Sequence, residues 1–259
     1  MNKFLNLLQF LTRITVSKNL KYNEDMGSAM VYFPVVGMVI GMLLTIEYYI
    51  LNKFFGMEIM SVFIALVVVI SEAVITGGLH IDGFGDTFDG LFSYRSKERI
   101  LEIMKDPTMG TNGILAILFL IISKIVCLNI AVKYNMYWLI FSMPVAGRLT
   151  PVIMSYKAVS ARKNGMGELF IGKCSTNNLI GAAVIAVVTV YVTSYLAYTD
   201  FMKSLIYLTG IVFIALFAIM FRKSVYRQID GITGDILGCA TEMGELIFLV
   251  ASIIILIKL

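Results

Sequence analysis

The sequence predicts an all-α fold: a polytopic integral membrane helical bundle of about seven transmembrane helices, with an N-terminal amphipathic helix at the interface. Three observations lead there. Of the 259 residues, 59% are hydrophobic and only 15% are charged, against about 25% charged in an ordinary soluble domain. The mean hydropathy is +0.87. Apolar runs recur at the length of about 20 residues that a helix needs to cross the hydrocarbon core.

The elements follow in order. The opening MNKFLNLLQFLTRITV lacks a small-residue cleavage site followed by a polar mature region, and reads as an interfacial amphipathic helix. Seven spans then fall over 29–52, 56–76, 112–132, 136–155, 178–198, 202–220 and 242–258. The first carries Gly37 and Gly41, a GxxxG spacing that permits close helix contact. The last is short, begins beside polar residues, and reads as tilted or partly re-entrant. No internal repeat or low-complexity linker divides the chain, so residues 1–259 form a single integral membrane catalytic domain.

Basic residues set the orientation. Lys3, Arg13, Lys18 and Lys21 in the N-terminal segment fall on the same side as Arg95, Lys97, Arg99 and Lys105, as Lys157, Arg162, Lys163 and Lys173, and as Arg222, Lys223 and Arg227. Lys53, Lys133, Lys203 and Lys258 fall on the other. The positive-inside rule makes the richer side cytoplasmic. The expected product is a multi-pass cell (inner) membrane protein with a cytoplasmic N-terminus and active site. Cys127, Cys174 and Cys239 are scattered, and His80 is the one histidine. Disulfide frameworks, thiolate metal sites and multi-histidine sites are thereby disfavoured. Nothing points to nucleic acid. The lipid bilayer is the surrounding partner, and helix surfaces rich in Gly and Met could support a homo-oligomer.

The most informative stretch is GGLHIDGFGDTFDGLFSYRSKERILEIMKDPTMGTNG, residues 77–113. Asp82, Asp86 and Asp89 are spaced by four and three, which places them on one helical face. Gly83, Gly85 and Gly90 permit tight turns or close approach and weaken a helix, so that geometry is conditional. Like charges this close repel unless a cation or proton joins them. Three hard oxygen donors suit Mg²⁺ or Mn²⁺; the bland alternative is a solvated acidic loop. His80 could bind metal, contact phosphate or accept a hydroxyl proton, or it could orient Asp82 or cap local backbone. Arg95 and Lys105 are candidate phosphate contacts, whereas Lys97 and Arg99 read as positive-inside decoration. Asp106-Pro107 with Gly110 and Gly113 suggests an ordered turn whose amides could hold a phosphate.

A second block, RKSVYRQIDGITGDILGCATEMGELIFLV, brings Asp230, Asp235, Glu242 and Glu245 before the last span. These could serve a second metal, a nucleobase or a hydroxyl; the alternative is a helix N-terminus decorated with acids. Arg148, between Pro144 and Pro151 inside the fourth span, must pair with an acid, snorkel or meet a buried anion. Glu72 is its candidate structural partner. Lys124 and Glu47 are weaker candidates for a role.

The run GGLHIDGFGDTFDGL followed by RILEIMKDPTMGTNG resembles the cobalamin-5′-phosphate synthase family, also called adenosylcobinamide-GDP ribazoletransferases. FLTRITV near 10–16, YFPVVGMVIG at 32–41 and GITGDILGCATEMGEL at 231–246 extend the resemblance over nearly the whole chain. Gly85 and Phe88 replace alanines common in the motif and leave its carboxylates intact. The resemblance implies a polytopic Mg²⁺-dependent enzyme of late cobalamin biosynthesis. It would transfer the phosphocobinamide moiety of adenosylcobinamide-GDP to alpha-ribazole or its 5′-phosphate, giving adenosylcobalamin or its phosphate and GMP. It assigns His80, Asp82, Asp86 and Asp89 to the acidic motif, Asp230, Asp235, Glu242 and Glu245 to the second block, and Lys105, Asp106 and Arg148 to shorter elements.

The expected mechanism is attack of a ribose hydroxyl on the phosphorus attached to cobinamide. Asp82, Asp86 and Asp89 would hold Mg²⁺ at the diphosphate, Lys105 or Arg148 would offset charge, and His80 or an acid would take the proton. No serine or cysteine nucleophile stands beside a base, which favours direct attack. Two other classes compete. A CDP-alcohol-phosphotransferase-like enzyme shares the aspartate spacing but not the full DGxxAR…GxxxD pattern. A cation or metabolite transporter would suit the intramembrane charges but lacks a convincing repeat. A purely structural subunit leaves both acid blocks unexplained.

Overall fold

The computed structural model describes residues 2–16, 26–55, 57–163 and 165–258, so Lys18 and Lys21 lie outside the described residues. Among the described residues the chain is helical, with two isolated bridges, Tyr156 to Cys174 and Ser160 to Ile232. Helix α1 (Asn2–Leu11) turns Leu7, Leu8 and Leu11 inward, and a 3₁₀ turn (Gly27–Tyr32) leads into α2 (Phe33–Phe55). Then come α3 (Met57–Thr76), α4 (Leu79–Leu91), α5 (Lys97–Ile103), α6 (Thr111–Lys133) and α7 (Tyr137–Ser155). A 3₁₀ turn (Met166–Leu169), α8 (Thr176–Tyr198), α9 (Phe201–Tyr207), α10 (Thr209–Ile229) and α11 (Gly234–Lys258) complete the bundle. Six helical stretches are long and apolar enough to span a membrane, or seven if the bent pair α3 and α4 counts as one span.

Helix α7 is the central post, buried along almost its whole length. Glycine lets α2 lie against it. A Cβ at Gly41 would stand 2.1 Å from the Phe141 carbonyl oxygen, and one at Gly37 2.5 Å from that of Pro144. The GxxxG spacing therefore marks a backbone-to-backbone contact, where dispersion replaces the hydrophobic drive that lipid removes.

Two expected spans move. The sixth span, placed at 202–220, is instead the short α9 followed by α10, which runs on to Ile229. The seventh, placed at 242–258, begins at Gly234 and is a full 25-residue helix. Hydropathy delays its start because Asp235, Glu242 and Glu245 count as polar, yet all three are paired inside the protein. The connection over 77–111 contains two helices, α4 and α5.

Helix α3 stops in a Schellman arrangement: Gly77 donates its amide to Val74 O (3.1 Å) and Gly78 to Ala73 O (2.9 Å). Gly77 and Gly78 have φ of +64° and +72°, a left-handed conformation that glycine adopts without a Cβ penalty. The chain turns by 92° there, and α4 runs across the end of the bundle. The glycines of α4 then serve close approach. A Cβ at Gly83 would meet the Asp235 backbone at 2.8 Å, and one at Gly113 of α6 would meet the Gly85 carbonyl at 2.8 Å. Phe84, Phe88 and Phe92 stack in a column, with centroids 4.6 and 5.1 Å apart. Phe84 seats that column beside Ala116, Leu120 and Cys239.

Candidate active site

Where α4 and α11 begin, they enclose a cavity of about 200 Å³ under the segment that includes the Met166–Leu169 turn. Its walls are mostly apolar. Phe170 packs against Phe10 (centroids 5.3 Å apart) and Phe33 (5.4 Å), and all three line the space. Backbone bonds tie the start of the roof to the loop before α11: Ala161 donates to Ile232 O (2.9 Å) and Ile232 to Val159 O (3.0 Å). Arg162 clamps it further, donating to Asp235 Oδ2 (3.0 Å) and Leu101 O (3.3 Å). His80, 5% exposed, lines this cavity, and its Nε2 has no hydrogen-bond partner among the described residues. Thr233 and Thr241 add hydroxyls.

The acids of α4 divide by role. Asp82 is exposed at the rim of the cavity. Asp86, one turn on, is half-buried and within electrostatic reach of Asp82, Asp235, Asp89 and Arg162. Asp89 is buried and caps α6: Oδ2 accepts the Gly110 amide, and Oδ1 accepts that of Gly113 at 2.9 Å. Among the described residues, no three His, Cys, Asp or Glu side chains converge tightly enough to clasp an ion.

Beyond the far end of α4 lies an open cleft of about 560 Å³, lined by Arg95, Arg99, Asp106, Thr108 and Asn112. Asp106 Oδ1 accepts both the Thr108 amide (2.8 Å) and the Thr108 hydroxyl. Those bonds hold its exposed carboxyl below the usual carboxylate range. Lys105 is exposed next to Asp106. Asp230 belongs to neither opening; it is exposed and pairs with Lys97 at 2.9 Å.

In the bundle core, Lys124 Nζ donates to Glu72 Oε2 (2.9 Å), Glu242 Oε2 (2.8 Å) and Glu245 Oε2 (2.5 Å). Arg148 Nη1 donates to Glu245 Oε1 (2.8 Å) and Pro144 O (3.1 Å). This group joins α3, α6, α7 and α11, and Arg148, Glu245 and Lys124 all lie within electrostatic reach of His80. A charge in an apolar slab is tolerated when paired in this way.

A family model described as Cobalamin-5-phosphate synthase matches residues 3–253. The chain belongs to this family. It is 42% identical over 252 residues to the adenosylcobinamide-GDP ribazoletransferase of Clostridioides difficile, covering 96% of each chain. It is 37% identical over 258 residues to that of Alkaliphilus metalliredigens, covering 98% of this chain and 96% of the relative. Against that of Fusobacterium nucleatum it is 36% identical over 272 residues, covering 98% of each. No solved structure matches. Family membership carries an enzymatic, transferase role in cobalamin biosynthesis.

For this cobalamin-5-phosphate synthase family member, the structure gathers some of the expected residues and separates others. His80, Asp82 and Asp235 share one cavity, with Asp86 beside it. Arg95 and Asp106 share the second cleft, which Asp89 also borders. Glu242, Glu245 and Arg148 lie in the core network, where Arg148 pairs with Glu245 and Glu72 pairs with Lys124. Sequence reasoning undervalued Lys124 and counted Arg162 only as a cytoplasmic charge. For Lys124 a signal was present: a lysine within an apolar span requires acidic partners, and Glu72, Glu242 and Glu245 were at hand.

Proposed function

We propose that the protein transfers the phosphocobinamide moiety of adenosylcobinamide-GDP to alpha-ribazole or alpha-ribazole 5′-phosphate, releasing GMP, at the cytoplasmic face of the cell membrane. The observation that carries this reading is the acid-bearing helix α4, bounded at one end by an apolar cavity and at the other by an arginine-lined cleft, in a chain similar over its length to ribazoletransferases. The apolar cavity suits the flat aromatic base of the ribazole acceptor. The cleft suits the nucleotide end of the donor. The reacting diphosphate would lie along α4 between them.

The donor chemistry, carboxylate oxygen, is that of a hard divalent cation such as Mg²⁺, and the side chains would have to draw together to hold it. Asp82, Asp86 and Asp235 offer carboxylate oxygens, and Asp86 is half-buried among like charges whose repulsion a cation would relieve. Asp89 has both oxygens engaged by amides and supports the site through α6. When bound, the ion would polarise phosphoryl oxygen and neutralise charge on the leaving phosphate.

The chain's own residues supply the rest. The cavity excludes water around the acceptor and orients its ribose hydroxyl toward α4. His80 Nε2, buried without a partner among the described residues, accepts the hydroxyl proton as the oxygen attacks the phosphorus bonded to cobinamide. The bond to the GMP phosphate breaks, and Arg95, with Lys105 nearby, stabilises the departing charge. Arg148 acts through Glu245, because its guanidinium is buried in the core.

The test is GMP release by purified, detergent-solubilised protein supplied with adenosylcobinamide-GDP, alpha-ribazole and Mg²⁺, with and without EDTA. Metal-dependent GMP formation matched by a cobalamin product is expected. Folded protein that yields neither would overturn the reading.

A further inference from the structure

The second cleft has a chemical polarity that simple phosphate binding does not explain. Arg95 and Arg99 line it. Arg99 pairs with Glu102 at 2.8 Å, both exposed, whereas Arg95 has no ion pair among the described residues. A phosphate would suit these cations. Asp106 also lines the cleft, within electrostatic reach of Arg99, and its carboxylate would repel phosphate. Both hydrogen bonds from Thr108 arrive at Oδ1, which fixes the group and leaves Oδ2 without a hydrogen bond among the described residues. The cleft's other carboxylate, Asp89, has its oxygens engaged by Gly110 and Gly113. The cleft therefore offers cationic donors together with one carboxylate oxygen, Asp106 Oδ2, that has no hydrogen bond among the described residues.

A nucleotide satisfies both at once, and the acceptor narrows the base. Guanine presents two adjacent donors on one edge, N1–H and the N2 amine. Adenine presents an acceptor at N1. Hypoxanthine keeps N1–H but lacks the amine, and xanthine places a carbonyl where the amine stands. An oxygen with two lone pairs can accept from both guanine donors.

Resting on the transferase reading above, we propose that this cleft binds the nucleotide end of the donor and that Asp106 selects guanine. Arg95 grips the phosphate without regard to the base. Asp106 is a specificity residue and takes no part in the bond-breaking step.

The experiment measures binding of GMP, IMP, XMP and AMP to the full chain in detergent, for wild type, Asp106→Asn and Arg95→Gln. Wild type binds GMP best, IMP less well, and XMP and AMP least. Asp106→Asn presents an amide N–H₂ where the open carboxylate oxygen stood, so it opposes both guanine donors and can donate to adenine N1. GMP affinity falls at least about tenfold, and AMP binding rises to match or exceed it. That gain of binding reports a folded protein. Arg95→Gln weakens GMP and XMP by the same factor. A GMP preference that survives Asp106→Asn would overturn the assignment while leaving the transferase reading in place, as would GMP release by a wild type with no base preference. A wild type that neither binds GMP nor releases it from adenosylcobinamide-GDP would remove both.

Discussion

Arg148 Nη1 lies 2.8 Å from Glu245 Oε1, with both side chains 1% exposed, and the other Glu245 oxygen accepts from Lys124. One carboxylate thus joins two cations carried on different helices. Removing one partner of a buried ion pair leaves the other charged and unsolvated, a loss of about 3–5 kcal/mol. Lys124→Met and Glu245→Gln should each lower the thermal unfolding midpoint in detergent. The double variant Lys124→Met/Glu242→Gln should lose less than the sum of its single changes, because it removes opposite charges together.

The aspartates of α4 should separate by readout. Asp82→Asn and Asp86→Asn should lower turnover by about 100-fold or more while leaving the unfolding midpoint close to wild type. Asp89→Asn should behave differently. The substitution leaves one oxygen for two amides and sets an N–H₂ group against a donor. A loss of about 1–2 kcal/mol is expected, on the scale of a lost helix cap, and turnover per folded molecule should fall less than in Asp86→Asn. Equal turnover losses with unchanged stability in all three would contradict the division.

Metal dependence should follow the same residues. Chelation should stop GMP release and added Mg²⁺ should restore it. Asp82→Glu should raise the Mg²⁺ concentration needed for half-maximal activity, whereas Lys97→Gln, which disturbs only the exposed pair with Asp230, should not.

Glycine positions supply tests of the fold. Gly41→Ala adds a methyl 2.1 Å from the Phe141 carbonyl oxygen and should cost about 1–3 kcal/mol. Gly78→Ala meets no atom within 4 Å, but φ is +72°, so strain alone should cost about 1–2 kcal/mol. Gly77→Ala carries similar strain and meets the exposed Arg13 side chain, which can swing aside, so it should cost about as much as Gly78→Ala. Unfolding midpoints of the three variants give the comparison.

The spans were legible because a bilayer demands length and apolarity, which are properties of contiguous sequence. Helix α4 was only half legible. Its aspartate spacing fitted a helix, but three glycines in 13 residues argued for a loop, and the surfaces that Gly83 and Gly85 meet on α11 and α6 are distant in sequence. The same limit hid the difference between Asp86 and Asp89. Their spacing is equivalent, and only the fold brings the amides of Gly110 and Gly113 to Asp89. Arg162 was legible as a charge but not as the clamp on Asp235, since that contact joins positions 73 residues apart.

The core ion group also constrains how the protein is built. Helix α3 enters the bilayer with Glu72, α6 with Lys124 and α7 with Arg148, and α11 brings Glu242 and Glu245. Each helix alone carries an uncompensated charge, which costs several kcal/mol near the centre of the membrane. Glu72 of α3 can pair with Lys124 once α6 is made, but the acids that Lys124 and Arg148 meet on α11 emerge later. Until α11 arrives, Arg148 lacks Glu245, a partner 97 residues further along and on the order of several seconds later at ordinary translation speed. Helix α11 therefore completes the charge pairing of the core, and a chain truncated before it should be a substrate for membrane quality control.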